Sequence, residues 1–145
     1  MVPITLQDQL ILHESNRLKP YLDTVGKWTI GVGRNLTDRG ITADESLYLL
    51  NNDITRVTRE VSLALPWFNN LDPVRRKVVL DMDFNMGTGV PGVSGLLAFT
   101  NTLRAMKDGR YEDAAAGMLA SLWAQQTKTR ATRLAAMMKT GNEYT

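Results

Sequence analysis

The sequence predicts an α+β fold that is mainly α-helical, with a β-hairpin near the N-terminus. Helix-start signals recur along the chain, where a Thr or Asp N-cap precedes apolar residues at helical spacing. Between the first two signals, the turn residues 24–27 precede a run of alternating apolar residues, which is the pattern of a hairpin. With 145 residues, 43% of them hydrophobic, the chain is long enough for one domain with a core.

The first predicted helix begins after Thr5, which forms a capping-box pattern with Asp8 in place of the usual Glu. Leu6, Leu10 and Glu14 are four residues apart and therefore share one helix face. We expect Glu14 to be partly buried at the end of this apolar stripe. Burial and the negative end of the helix dipole would both favour a protonated carboxyl, as a general acid requires.

The predicted hairpin turns at Thr24–Lys27, where Gly26 can adopt a positive φ. Alternation then places Trp28, Ile30 and Val32 on one face, and Thr29, Gly31 and Gly33 on the other. The second face carries only the Thr29 hydroxyl, which suits the close approach of a ligand. The alternative is that the glycines only mark bulges or turns. Whether Asp23 shares the Thr29 face is left open, because the sequence does not fix the register.

Residues 34–40 are predicted as a loop or a short third strand. A capping box at Thr42 and Glu45 starts a helix to about Leu50, and apolar residues at helical spacing continue to Leu65. Pro66 ends this pattern, and Trp67, Phe68 and Leu71 are expected in a second core.

The C-terminal half is predicted to be helical. Asp72 and Pro73 start a helix that is buried on more than one side. Further helices are expected at 99–107, at 111–121 with an interruption at Gly117, and after an N-cap at Thr127. Gly141 is the expected end of the last helix.

Composition excludes several kinds of site. There is no cysteine and His13 is the only histidine, which rules out disulfides, thiol catalysis and multi-histidine metal sites. We expect His13 to be a partly buried helix residue without a catalytic role. No run of about 18 apolar residues is present, so no membrane span is expected, and the first residues lack the features of a secretory signal.

The charge is modest and favours the C-terminal end. The net charge is +2, and residues 103–145 hold seven Lys or Arg against four Asp or Glu, a net +3. This fits attraction to an anionic polymer such as peptidoglycan, whereas nucleic-acid-binding domains are usually far more basic. A DNA-binding domain that uses the basic last helix is therefore a disfavoured alternative, and no nucleic-acid partner is expected.

The segment ESNRLKPYLDTVGKWTIGVGR, residues 14–34, resembles the opening of the T4-type phage lysozymes of glycoside hydrolase family 24. In that family a Glu, an Asp nine residues later and a Thr fifteen residues after the Glu form the catalytic set. The resemblance implies that Glu14, Asp23 and Thr29 are catalytic here. The family usually has His directly after the second glycine, where this chain has Arg34.

The resemblance implies a single lysozyme-like, two-lobed domain over residues 1–145. Its parts are an N-terminal lobe at about 12–50, a connecting helix at about 51–65 and a helical lobe at about 66–145, whose last helix returns to the first lobe. FNMG and FTNTLR are also similar to the family and imply substrate contacts from Phe84, Asn85 and Thr102. The residues alone support an alternative equally well, in which Phe84 is a core residue and Asn85 caps the loop that follows it. A polar residue often stands at Gly117 in the family, so that contact is absent.

Arg130 resembles the family arginine that pairs with the catalytic Glu, here Glu14. Such a pair would favour the ionised carboxylate, and which effect wins at Glu14 is left open. Without the resemblance, Arg130 and Arg133 indicate a solvated basic helix face.

The implied activity is that of an N-acetylmuramidase that cuts bacterial peptidoglycan with inversion, in lysis of a bacterial wall by a phage. Glu14 would protonate the leaving oxygen, Asp23 would stabilise the anomeric cation, and Thr29 would hold the attacking water. No metal or cofactor is needed, and a monomer is expected. The protein would be made in the host cytoplasm and reach the periplasmic wall through a pore or with the virion. The alternative is a peptidoglycan-binding module without catalysis.

Overall fold

The computed structural model describes residues 2–144, which contain a three-stranded antiparallel sheet and seven α-helices. The predicted α+β, mainly helical fold class is confirmed. The chain divides into two compact units, the first ending at Leu49 and the second beginning at Leu50. The predicted lysozyme-like arrangement of two lobes, with the last helix returning to the first lobe, stays a prediction.

The first unit begins with a capped helix and a short sheet. Its elements are α1 (Leu6–Glu14), β1 (Arg17–Leu22), β2 (Trp28–Gly31) and β3 (Arg34–Asn35). The predicted capping box of α1 is confirmed, because the Asp8 N–H donates to Thr5 Oγ1 at 3.0 Å and the Thr5 N–H donates to Asp8 Oδ2 at 3.3 Å.

Helix α1 has no buried residue. Both Glu14 and His13 are exposed, so the expectation that they are partly buried is wrong. Helical spacing shows that Leu6, Leu10 and Glu14 share a face, but it does not show what covers that face.

The sheet has the order β1-β2-β3. Tyr21 pairs with Thr29 and Leu22 pairs with Trp28, while the register shifts between Arg17 and Tyr21. Pro20 lies in this irregular part of an edge strand, where a residue without an N–H is tolerated. Beyond the last pair, the Asp23 N–H donates to the Lys27 carbonyl at 2.9 Å.

The glycines after Thr29 form a turn. Gly31 and Gly33 have φ values of 65° and 68°, in the left-handed region that favours glycine. β2 therefore ends at Gly31, and the predicted alternation is wrong beyond that residue. The predicted third strand is present as β3.

Helix α2 (Ala43–Ala64) is one continuous helix. Its predicted capping box is confirmed, because the Glu45 N–H donates to Thr42 Oγ1 at 3.1 Å and the Thr42 N–H donates to Glu45 Oε1 at 2.9 Å. The helix predicted at about 51–65 is thus the second half of a longer one, and the boundary between the units falls within α2.

The second unit is helical. Its α-helices are α3 (Pro73–Met86), α4 (Thr100–Lys107), α5 (Tyr111–Leu119), α6 (Leu122–Thr127) and α7 (Thr129–Thr140), with 3₁₀ turns at Pro66–Asn70 and Leu96–Ala98. Asp72 caps α3 by accepting the Arg75 N–H at 3.1 Å, as predicted. Phe68 and Leu71 are buried and Trp67 packs against the core, which confirms their predicted role.

The C-terminal helices differ from the prediction in three ways. Helix α6 was not predicted, and it begins at Ser121, whose hydroxyl accepts the Ala124 N–H at 3.1 Å. Thr127 is the last residue of α6, and not the N-cap of the final helix. Gly117 does not interrupt α5.

Asp83 in α3 is a buried carboxyl in the core of the second unit. Its side chain is 2% exposed, and Oδ1 has no hydrogen-bond partner among the described residues. Burial raises the pKa of Asp83, and a hydrogen bond from Thr88 only partly opposes this. Proximity to the negative charge of Glu60 raises the pKa further.

We expect Asp83→Leu to raise the free energy of unfolding at pH 7 by about 1–3 kcal/mol, because a buried polar group without a partner costs about that much. A carboxyl whose pKa is raised by folding destabilises most above the folded pKa, and the cost falls as the pH drops toward about 3.9, the unfolded value. The gain in the free energy of unfolding of Asp83→Leu, measured by urea denaturation, should therefore be smaller at pH 4 than at pH 7.

The matched control is Asp113→Asn, at an exposed position of α5. Asp83→Asn keeps the shape of the side chain but removes its titration. If Asp83→Asn left the pH dependence of unfolding the same as in the unmodified protein, the buried carboxyl would not be its source.

Candidate active site

The main chain of Lys27 holds the side chains of Asp23 and Thr29. The Lys27 N–H donates to Asp23 Oδ1 at 2.8 Å, and the Val25 N–H donates to the same oxygen at 2.9 Å. The Lys27 carbonyl accepts the Thr29 hydroxyl at 3.0 Å. Both groups are therefore positioned by the backbone of the hairpin turn.

The register places Asp23 and Thr29 on the same face of the ribbon. Tyr21 lies opposite Thr29, and Asp23 lies two residues beyond Tyr21. Because side chains alternate along a strand, Tyr21, Asp23 and Thr29 point to one side. This face is the more covered one, since Thr29 is 4% exposed whereas Leu22 and Trp28 on the other face are exposed. The question that the sequence left open is thus answered.

Glu14 approaches the same ribbon near its other end. A Cβ atom added to Gly33 would lie 3.0 Å from Glu14 Oε2, so the carboxyl rests against this glycine. A Cβ on Gly31 would meet nothing within 4 Å. Along β2 and the turn that follows it, Gly31 therefore lies between Thr29 and the glycine that Glu14 contacts, and no side chain covers the backbone at Gly31. The glycines form a turn, as the alternative interpretation predicted, and the approach of a ligand to the same glycines stays a prediction.

Arg34 forms an ion pair between β3 and α2. Its Nη1 donates to Glu45 Oε1 at 2.8 Å and to the Gly40 carbonyl at 3.3 Å. The hydrogen bond from Arg34 lowers the pKa of Glu45 to about 2. Arg34, which stands where the family resemblance led us to expect His, thus has a carboxylate partner.

Phe84 is not a core residue. Its side chain is 46% exposed and lines an apolar cavity of about 440 Å³ in the second unit. The core alternative for Phe84 is therefore wrong. On the wall of the same cavity, Arg130 Nε donates to Asp81 Oδ1 at 2.7 Å. The predicted pair of Arg130 with Glu14 would join the two units and stays a prediction.

Asn85 is fixed by a tryptophan and not by the loop that follows it. The Trp123 indole N–H donates to Asn85 Oδ1 at 2.8 Å, and the Trp123 ring stands edge-on to Phe99 at 6.1 Å. The Asn85 amide N–H₂ is left to donate elsewhere. The Trp123 contact spans 38 residues, and no local pattern in the sequence indicates it.

Thr102 lies in the interior beside α5. Its side chain is 7% exposed, and a Cβ atom on Gly117 would lie 2.3 Å from Thr102 Oγ1. The glycine in α5 is therefore explained by the close approach of Thr102. The implied contact of Thr102 with substrate stays a prediction.

A model of the phage lysozyme family matches residues 12–139, a span that includes Glu14, Asp23, Thr29 and both units. The chain belongs to the phage lysozyme family. The resemblance stated from the sequence is thereby confirmed. The protein is a lysozyme-type glycoside hydrolase, with peptidoglycan as its substrate class.

Curated relatives agree with this assignment. The chain is 26% identical to the probable T4-type lysozyme 1 of Dictyostelium discoideum, over 94% of this chain and 95% of that protein. It is 25% identical to the probable T4-type lysozyme 2 of the same organism, with the same coverage. It is also 30% identical to the pre-baseplate central spike protein Gp5 of Enterobacteria phage T4, over 96% of this chain but only 28% of that protein.

Of the helices within residues 2–144, none combines the length and the apolar character that a membrane crossing requires. Within the same residues, no three His, Cys, Asp or Glu side chains are grouped as metal ligands.

We expect Gly33→Ala to lower wall-lysis activity of this lysozyme about tenfold to a hundredfold, because its Cβ would displace the Glu14 carboxyl and small misplacements of a reacting group are costly. The matched control is Gly40→Ala, which has a similar φ of 63° but open space around its Cβ. Both variants should lose similar stability, about 1–2 kcal/mol, from the left-handed backbone. Equal activity in the two variants would show that Gly33 does not position Glu14.

We expect Gly117→Ala to destabilise the protein, although alanine favours a helix over glycine by about 1 kcal/mol. The new methyl group would lie too close to Thr102 Oγ1. Thr102→Ala in the Gly117→Ala background should restore the midpoint of thermal unfolding above that of Gly117→Ala alone. Additive effects in this double-mutant cycle would contradict the close approach.

Proposed function

We propose that this lysozyme-family protein hydrolyses the β-1,4 bond between N-acetylmuramic acid and N-acetylglucosamine. Glu14 is the general acid, which protonates the leaving glycosidic oxygen. Support comes from its position, because the carboxyl is exposed and lies against Gly33, where no side chain blocks the ribbon. A substrate oxygen can therefore approach it.

Asp23 is ionised, stabilises positive charge at the anomeric carbon and accepts the proton that the attacking water loses, while Thr29 holds that water. Asp23 Oδ1 accepts two backbone N–H groups, and Oδ2 accepts no hydrogen bond within the described part of the first unit. The Thr29 hydroxyl donates its proton to the Lys27 carbonyl, so its oxygen is available to accept a hydrogen bond from water. Such a bond would direct the water lone pair away from Thr29 and toward the sugar.

The proposed reaction inverts the configuration at the anomeric carbon. Inverting glycosidases leave room for a water between carboxyl groups about 6.5–9.5 Å apart, whereas retaining enzymes bring them to about 5–5.5 Å. Glu14 lies at Gly33, and Asp23 lies beyond Thr29 on the ribbon. Gly31 lies between them on the ribbon, and a Cβ added there would meet nothing within 4 Å. This open space supports the proposal that a water is held between the two carboxyls.

In the second unit, we propose that Phe84, Asn85 and Thr102 contact the glycan. The exposed ring of Phe84 suits the apolar face of a sugar, and the Asn85 amide suits an N-acetyl carbonyl. Of the three side chains, Thr102 is a buried one and offers the least surface to a substrate. Arg130, which donates to Asp81 in the structure, is proposed as the ion-pair partner of the catalytic Glu only on the family resemblance.

The proposed setting is the lysis of a bacterial wall by a phage. The protein acts as a monomer on the periplasmic wall, after release through a pore or delivery with a virion. One similar protein is named as a spike of phage T4, of which the chain matches only 28% of the length, so a tail-associated role is a second candidate.

We expect Glu14→Gln to reduce release of reducing sugar from purified peptidoglycan by at least about a thousandfold, because the amide has no proton to donate. Thr29→Val, which keeps the shape of the side chain, should lose about a hundredfold or more. The control is Glu112→Gln, at an exposed position of α5. Mass spectrometry of the new ends should identify a muramic acid reducing end, and proton NMR should show the inverted anomer first.

Substantial activity in Glu14→Gln would show that Glu14 is not the general acid. If the unmodified protein bound peptidoglycan in a sedimentation assay but released no sugar, the non-catalytic alternative would be correct.

A further inference from the structure

Arg17 lies on the same face of the ribbon as the proposed catalytic groups. Arg17 pairs with Gly31 and Tyr21 pairs with Thr29, and Gly31 and Thr29 are two residues apart on β2. Because the register shifts between Arg17 and Tyr21, alternation along the strand does not by itself place the Arg17 side chain. The guanidinium carbon of Arg17 lies 3.9 Å from the centroid of the Tyr21 ring, and this contact puts the cation on the side of Tyr21 and Thr29.

The Arg17 cation has no acidic partner in its own unit. Within the described residues of the first unit, no carboxylate lies within 4 Å of its guanidinium, and no hydrogen bond fixes it. Some arginines of the chain are paired, for example Arg34 with Glu45 at 2.8 Å and Arg130 with Asp81 at 2.7 Å. The Tyr21 ring holds Arg17 in place while leaving its N–H groups free.

Space is open at Gly31, the residue that pairs with Arg17. Gly31, directly opposite Arg17, has no side chain, and nothing lies within 4 Å of where its Cβ would be. A planar guanidinium beside such a gap suits a carboxylate, which it binds through two parallel hydrogen bonds. The gap lies between the Glu14 carboxyl and the Thr29 hydroxyl, where the proposed function positions the sugar.

We propose that Arg17, held over Tyr21, binds a carboxylate on the lactyl or peptide arm of the muramic acid. This inference rests on the proposed function, which supplies the glycan. The β-1,4-linked N-acetyl sugar backbone itself is neutral, so a carboxylate can come only from this arm. Where a peptide is attached, the carboxylates belong to the peptide, and where it has been removed, the lactyl group carries one.

The test uses soluble uncross-linked peptidoglycan strands, either native or with their carboxylates converted to amides. We expect Arg17→Met to raise KM on native strands about tenfold, with kcat nearly unchanged, because the bond is the same in ground state and transition state. Amidation should raise KM of the unmodified protein by a similar factor and should have no further effect on Arg17→Met. Arg39→Met, an exposed arginine of the same unit, should behave like the unmodified protein.

Two arms identify the source of the carboxylate. Strands stripped of peptide by an amidase carry a free lactyl carboxylate. A larger effect of Arg17→Met on native strands assigns the peptide, and a larger effect on stripped strands assigns the lactyl group. Tyr21→Phe keeps the ring and should retain the low KM, whereas Tyr21→Leu should raise it without adding to Arg17→Met.

The inference is overturned if Arg17→Met leaves KM unchanged on both kinds of strand, or if its effect multiplies with that of amidation. These results are distinct from failure of the proposed function. If the proposed function failed, neither the unmodified protein nor Arg17→Met would cleave any of the strands.

Discussion

The backbone of one residue, Lys27, constrains both polar groups of the candidate site. Its N–H donates to Asp23, and its carbonyl accepts from Thr29 and from the Asp23 N–H. An ion pair within the same unit also supports the position of Lys27, since Lys27 Nζ lies 3.2 Å from Asp38 Oδ1. The geometry of the candidate site thus depends on a hydrogen-bonded turn more than on apolar packing. Thr29 is the one buried side chain of the described first unit, so the residue proposed to hold the water is also the most covered residue of this unit.

Features set by neighbours in sequence were predictable. The capping boxes at Thr5 and Thr42 and the N-cap at Asp72 follow from side chains that bond to backbone three residues away. The hairpin turn was equally local, because Gly26 supplies the positive φ of 81° that the turn requires. The three proposed catalytic residues were identified by their spacing together with the family resemblance. In the structure Asp23 and Thr29 lie on one face of the ribbon, and Glu14 at the end of α1 lies against Gly33.

Features that depend on distant contacts were not predictable. Glu14 was expected to be partly buried, but periodicity does not reveal what covers a helix face. Asn85 depends on Trp123, and the glycine at 117 depends on Thr102, and neither contact leaves a local pattern. Helix α6 was missed because Ser121 was assigned to the end of the preceding helix, although its hydroxyl caps the next one.

The ion pair between Arg34 and Glu45 bears on the tolerance of the sheet to acid. A histidine at this position would lose or gain charge near pH 6.5, whereas a guanidinium remains charged throughout. The hydrogen bond from Arg34 lowers the pKa of Glu45 to about 2, so the stabilising contribution of this carboxylate is complete above its unfolded pKa and is lost as the pH falls from there to about 2. The junction of β3 and α2 therefore keeps both charges across the whole range between a neutral cytoplasm and a strongly acidified medium, and proton concentration does not act on it as a switch.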